Sequence, residues 1–320
     1  LAGAVIYFLA FLVSLAGMGV TAPRTERNEL AGLGLLLTLC VLASLRVDTG
    51  TDFQTYTDIW NFTPAIDSVQ FSDILTGFYE PLFFVTTSLL KELSDNQSLF
   101  FAFYACATLM ILHAGIRRFP ISLPYAYLLY FCVFYLPYLF NAMRQAVSMS
   151  LLILAIPAML QRRTSTVLVL TLIAGGFHFS GLLIGVAYVF LVAARRLGLN
   201  GWNTYWAVAG VGSALAISGA AGRLFFAAFP AATQAYSEIF DTASSPANVA
   251  LRLGLGLVML MCAPRDKMLR KPIDDLLIVY FLGLLIYLAL FDFNVLATRF
   301  NMFFRVLEVI LIPWIARYKS

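Results

Sequence analysis

The chain has 320 residues, of which 61% are hydrophobic and 12% charged, with 21 Lys and Arg against 17 Asp and Glu and a mean hydropathy of +0.86. A soluble domain carries about 25% charged residues, so this composition excludes a water-facing surface and requires lipid to cover the protein. The net charge of +4 is spread in short clusters between apolar runs, which excludes the clustered basic face that nucleic acid needs.

In chain order, the apolar run 1–20 lacks a basic leader and a small-residue cleavage pattern and reads as a retained span. The run 30–45 follows. Residues 46–80 then form a long connection that holds Asp48, Asp52, Asp58, Asp67, Asp73 and Glu80 against one base, Arg46, mixed with Tyr56, Trp60, Phe78 and Tyr79. Carboxylates accept sugar hydroxyls and aromatic rings stack on sugar faces, so the segment is either a glycan-binding loop or an ordinary solvated one. The run 81–90 is too short for a span of about 20 residues and is followed by Lys91, Glu92 and Asp95. A short interfacial or re-entrant helix is expected over 79–93. Further apolar runs lie at 98–116, 121–140, 146–160, 165–176, 179–194, 203–219, 249–263, 275–291 and 300–316. No stretch alternates with a strand period, which excludes a barrel. The expected class is all-α: a polytopic helical membrane protein of about 11 transmembrane helices, with a range of roughly 10–12, forming a single transmembrane domain over 1–320.

Lys and Arg in short loops set orientation. Arg117–Arg118, Arg162–Arg163, Arg195–Arg196, the segment 265–271 and Arg317–Lys319 are expected on the cytoplasmic side, with Arg24 and Arg27 as weaker markers. The connections 46–78, 141–145, 175–181, 220–247 and 292–299 then face outward, provided that 79–93 does not cross. Cys40, Cys106, Cys132 and Cys262 lie inside apolar runs at no ligand-like spacing, and the chain has two histidines; no metal site and no cofactor are expected.

An ionisable side chain at bilayer depth costs about 2.5–3.5 kcal/mol on insertion scales and therefore usually faces a bundle interior or a wet cavity. Asn141, Arg144, Gln145 and Ser148 follow i, i+3, i+4, i+7, one polar stripe on a helix. Interhelical hydrogen bonding accounts for Asn141 and Ser148 but does not need the guanidinium of Arg144. The stretch between Arg163 and Arg195 is too short for two full spans, so its hairpin turns at or below the outer surface and places His178 at the rim or in a cavity; Gly175, Gly176 and Gly181 permit the turn. His113, on a plain apolar helix, reads as structural. Arg299 lies at the outer mouth of the last span, Arg305 and Glu308 share a face and are expected to pair, and Arg252 lies near the outer end of its span. Several arginines turned toward one outward cavity suit a multiply charged anion, because guanidinium grips phosphate oxygens bidentately at any relevant pH. In a membrane that anion is a lipid-linked diphosphate.

Taken in order, Arg46-Val-Asp48-Thr-Gly50-Thr-Asp52-x-x-x-Tyr56, Glu80-Pro81, Asn141-x-x-Arg144-Gln145, Phe177-His178-x-Ser180 and Arg299-x-x-x-Phe303 resemble the EpsG family of Wzy-like polysaccharide polymerases. The resemblance implies an enzyme of the bacterial inner membrane that joins undecaprenyl-diphosphate-linked repeat units on the periplasmic side into O-antigen or exopolysaccharide. Its partners would be the lipid-linked glycan donor and acceptor, membrane lipids and a chain-length regulator protein. In that frame Arg144 and Arg299, with Arg46, hold the donor diphosphate, and the base is His178 or one of Asp48, Asp52 and Glu80. Tyr56, Asn141, Gln145, Ser180, Arg252, Asn301 and Arg305 complete the substrate-binding set. A ligase handing the glycan to a different acceptor, a sugar or lipid transporter and a membrane acyltransferase are the other readings, and a transporter should show matching repeats with broken helices, which are not evident here.

Overall fold

A computed structural model of the chain describes residues 26–76, 79–228 and 244–318. The expected span 1–20, Arg24, Phe78, Lys319 and the middle of the 220–247 connection lie outside the described residues. All regular elements among them are helical: α1 (Glu26–Ser44), α2 (Phe53–Phe62), α3 (Phe71–Thr76), α4 (Pro81–Leu93), α5 (Gln97–Ile116), α6 (Leu123–Tyr130), α7 (Met143–Leu160), α8 (Thr164–Phe177), α9 (Leu183–Arg196), α10 (Gly201–Ser218), α11 (Ala220–Ala228), α12 (Pro246–Cys262), α13 (Lys267–Ala289), α14 (Asn294–Arg305) and α15 (Glu308–Ala316). Five stretches are long and apolar enough to cross a membrane: Gln97–Ile116, Leu123–Asn141, Met143–Leu160, Phe179–Arg196 and Lys267–Ala289. Shorter apolar helices at Glu29–Ser44, Thr164–Phe177 and Pro246–Cys262 accompany them. The protein is therefore a helical membrane protein.

Three segments depart from the expected pattern. The connection 46–78 is largely helical, carrying α2, a 3-10 turn at Ile66–Ser68 and α3. The run 121–140 changes hydrogen-bond register, since α6 passes into a π-helix over Phe131–Asn141 that contains Pro137; proline has no N–H to give the ladder. The run 300–316 is two helices, α14 ending at Arg305 and α15 starting at Glu308. By contrast α4, with 13 residues, rises about 20 Å, short of a hydrocarbon core of about 30 Å, as its length in the sequence implied.

The chain forms two compact units: one from the chain up to Gly185 together with Glu308–Tyr318, the other from Val186–Leu307. In the first, α7 packs between α5 and α8. It is buried on nearly all faces, as a helix that is apolar over most of its surface must be. Ser148 Oγ donates to Ala174 O at 2.7 Å, a polar tie between α7 and α8 of the kind that holds membrane bundles. His113 is a structural residue, its Nδ1 2.7 Å from the Tyr127 hydroxyl. Helix α2 is stapled down by Lys91, which donates to Trp60 O at 2.7 Å and Asn61 O at 3.1 Å. Its Tyr56 and Trp60 are 4% and 2% exposed and pack on Phe100. These two rings are core, not a platform open to sugars.

In the second unit, α13 packs against α10, α12 and α14. Near its start Asp275 receives a bidentate pair from Arg195, Nε to Oδ1 at 3.0 Å and Nη2 to Oδ2 at 2.8 Å. The side chains are 13% and 9% exposed, and removing one partner of such a buried pair would leave the other charge stranded.

Candidate functional site

The turn between α1 and α2 is clasped onto the end of the π-helix. Arg46 is 7% exposed. Its Nη1 donates to Leu139 O at 3.1 Å and Phe140 O at 2.9 Å, carbonyls at a helix end that lack ladder donors. Nη2 reaches Met143 Sδ, and the guanidinium lies 4.0 Å from the Phe101 ring centroid. Asp48 and Gly50 both take left-handed backbone, with φ of 44° and 108°. Short polar residues tolerate that region and glycine enters it freely. A Cβ on Gly50 would lie 2.7 Å from Asn141 Oδ1 and 2.8 Å from Phe140 O, so only glycine fits. Asn141 Oδ1 accepts the Thr51 N–H at 2.7 Å, and Asp52, half-buried at the start of α2, accepts from Thr51 Oγ1 at 3.1 Å.

Ala142, at φ −106° and ψ 55°, breaks the helix before α7 begins at Met143. The expected stripe is thereby divided: Asn141 ends the preceding segment and holds the clasp, while Arg144, Gln145 and Ser148 lie on α7. Gln145 is 2% exposed and Ser148 fully buried.

Arg144 is the centre of the first group. Its Nη1 pairs with Glu80 Oε2 at 2.5 Å, the side chains being 26% and 16% exposed. The guanidinium carbon lies 5.5 Å from the Tyr79 ring centroid and 5.4 Å from that of Phe83, within cation–π range. The guanidinium also bonds the Tyr56 hydroxyl. Burial pushes the Tyr56 phenol above its ordinary value, which the Arg144 charge beside it opposes, so the phenol is neutral at working pH. Arg144 Nε is buried without a hydrogen-bond partner among the described residues.

Glu80 precedes Pro81, the first residue of α4, so its backbone is held extended. While Oε2 takes Arg144, Oε1 accepts the Phe179 N–H at 3.1 Å. One carboxylate thus joins the start of α7 to the hairpin tip between α8 and α9. The tip closes because Gly181 lies directly on the backbone of Ala174, where a Cβ would collide with its carbonyl. His178 Nδ1 accepts the Ser180 N–H at 3.2 Å and lies 2.7 Å from Ser180 Oγ. A backbone N–H can only donate, so Nδ1 is an acceptor and the neutral ring carries its proton on Nε2.

In the second unit Arg252 Nε donates to Asn301 Oδ1 at 2.8 Å, and its guanidinium stacks 3.9 Å from the Tyr287 ring centroid. Asn301 is 2% exposed, and the buried Tyr287 hydroxyl has no hydrogen-bond partner among the described residues. Arg305 Nη1 reaches Met302 Sδ at 3.1 Å; Arg299 is exposed on α14. Glu308, its expected partner, starts α15 in the first unit. Among the described residues no three His, Cys, Asp or Glu side chains converge as metal ligands would.

A family model described as the EpsG family matches residues 31–320. The chain belongs to the EpsG family. No curated protein and no solved structure matches it. Membership makes it a membrane protein of polysaccharide biosynthesis, of the polymerase type. Of the motif residues that carried the resemblance to the EpsG family, those from Arg46 to Ser180 fall in the first unit, where Glu80, Arg144 and the His178 turn share hydrogen bonds; Arg299 and Phe303 fall in the second. In each unit the sequence concealed neighbours of these side chains. The Phe179 N–H is a backbone group with no side-chain signal. Phe83, which flanks Arg144 beside Tyr79, comes from a segment that reads as ordinary apolar sequence, and in the second unit Tyr287 is one tyrosine among 15.

Proposed function

We propose that this EpsG-family protein polymerises undecaprenyl-diphosphate-linked oligosaccharide repeat units on the periplasmic side of the bacterial inner membrane. The observation that carries the reading is the Arg144 cluster: a guanidinium at the first turn of a membrane span, backed by rings and a neutral phenol, with one carboxylate as its only anionic partner among the described residues. Such a group is suited to a diphosphate and to the charge that develops as the glycosidic bond to it breaks.

In this reading Arg144 holds the donor diphosphate. Arg46 acts one step back, holding the end of the π-helix and hence the start of α7. His178, with its proton on Nε2, gives a hydrogen bond to the diphosphate oxygen that leaves as an anion, and the acceptor hydroxyl's proton passes to one of Asp48, Asp52 and Glu80. The fixed guanidinium supplies the positive charge, so the chemistry invokes no metal. In the second unit, Arg252 with Asn301, the exposed Arg299 and the half-buried Arg305 serve a further anion. A polymerase joins two substrates that each carry a diphosphate, and two arginine sets suit that better than a single-donor ligase.

Purified protein in lipid nanodiscs, given lipid-linked repeat units alone, is expected to lengthen them into a ladder on a gel. A reaction that starts only when a second type of acceptor is added makes the enzyme a ligase, and transport without new bonds overturns the enzymatic reading altogether.

A further inference from the structure

The Glu80 carboxylate occupies a position built for a phosphoryl group. Its two oxygens take the two kinds of donor that bind phosphate best: a guanidinium, from Arg144, and a backbone N–H, from Phe179. The donors come from different elements, the start of α7 and the tip of the α8–α9 hairpin, and the one carboxylate accepts from both. Charge makes the occupancy exclusive. Arg144 and Glu80 together are neutral, so a diphosphate placed on Arg144 with Glu80 still beside it would set its negative charge against a carboxylate at hydrogen-bond distance, in a partly buried site where such repulsion is strong.

We propose that Glu80 is an internal stand-in for the donor: a phosphoryl group of the lipid diphosphate takes the place of its carboxylate on Arg144 and the Phe179 N–H, and Glu80 is displaced as the donor binds. The inference rests on the assignment of the donor diphosphate to Arg144 and adds the second donor of the subsite, the Phe179 amide. It also explains why an acid and a base sit paired where substrate must bind. The pair preorganises the empty site, keeping the guanidinium and the amide aimed at one point, and it sets a charge threshold that a neutral lipid or a free sugar cannot meet. A ligand must bring its own anion to open the pair.

Binding of undecaprenyl diphosphate to the nanodisc-held protein tests this directly. Glu80→Gln keeps an oxygen for the Phe179 N–H but withdraws the competing charge, so the variant should bind undecaprenyl diphosphate at least about tenfold tighter than the wild type, and undecaprenol, which has no phosphate, no better. Equal or weaker binding of the diphosphate overturns the proposal. A second measurement needs no variant. Carbodiimide labelling of the wild type, read by mass spectrometry at Glu80, should rise when undecaprenyl diphosphate is added, because the carboxylate leaves its partners. Unchanged or reduced labelling at saturating diphosphate means that Glu80 stays in place and the stand-in is wrong. Failure of the polymerase reading looks different: wild type that binds and releases as described here but never lengthens repeat units retains the subsite and loses the reaction.

Discussion

Arg144 is held by a carboxylate, a phenol and two aromatic faces, and these partners separate its charge from its shape. Lysine in its place keeps the charge and can still meet Glu80. It cannot also bond Tyr56 or supply two parallel N–H groups to a phosphate. Arg144→Lys should therefore accumulate in the membrane at the wild-type level yet lengthen chains at least about tenfold more slowly, the loss expected of one charged hydrogen bond missing from the transition state. Chain lengthening by this variant at the wild-type rate, at matched expression, would remove the bidentate clamp from Arg144. That Arg144 called for an explanation was legible in the sequence, because interhelical hydrogen bonding does not need a guanidinium on an apolar helix. Its pairing with Glu80 was not, since the two are far apart in the chain and nothing in either local sequence names the other. The Phe179 amide was beyond reach for a simpler reason: every residue but proline has one.

At the scale of elements, the clasp from Arg46 to Asp52 depends on one backbone conformation. Gly50 sits at φ 108° with Asn141 and Phe140 against its Cα. Gly50→Ala adds a left-handed alanine, which costs about 1–2 kcal/mol on its own, and a collision besides. The variant should melt at a lower temperature in detergent and lose activity with it, although Gly50 touches no substrate in the proposed mechanism. A Gly50→Ala protein with unchanged melting and turnover would show that the clasp does not position α7. Helix placement was largely readable: the runs 98–116 and 146–160 became Gln97–Ile116 and Met143–Leu160. Hydropathy reports which residues tolerate lipid and is silent on hydrogen-bond register. For that reason the π-helix at Phe131–Asn141 and the break between Arg305 and Glu308 passed unnoticed inside apolar runs. The aromatic residues of the 46–78 segment were ambiguous for a related reason, because a ring that stacks on a sugar and a ring that packs in a core have the same sequence signature.

For the whole molecule, the proposed orientation rests on basic residues, some of which meet at one end of their unit. Arg317 donates to Pro120 O at 2.8 Å, bringing together two segments expected at the cytoplasmic face. In the second unit Arg195 pairs with Asp275, about one and a half helical turns from Arg270, another expected cytoplasmic marker. Reporter fusions at Arg118, Arg163 and Arg270 should report cytoplasm and a fusion at Asp67 periplasm. The reverse pattern at Arg163 and Asp67 would put the Arg144 cluster on the side of the membrane where the proposed substrates are not presented.

The hairpin of α8 and α9 has one more consequence. Helix α8 has 14 residues and rises about 21 Å, roughly two-thirds of the hydrocarbon thickness, while Leu168, Val169 and Leu172 on its flank and Phe179 and Leu182 at its tip are exposed apolar residues. Lipid beside so short a wall must thin or dip to keep these residues covered. In the proposed orientation, with Arg163 at the cytoplasmic surface, the tip that carries His178 and the Phe179 amide would lie below the ordinary level of the headgroups. A polyprenyl donor would meet its binding groups by sliding sideways into this depression with its tail still in the bilayer, and the elastic stiffness of the surrounding lipid would become one of the terms that set its affinity.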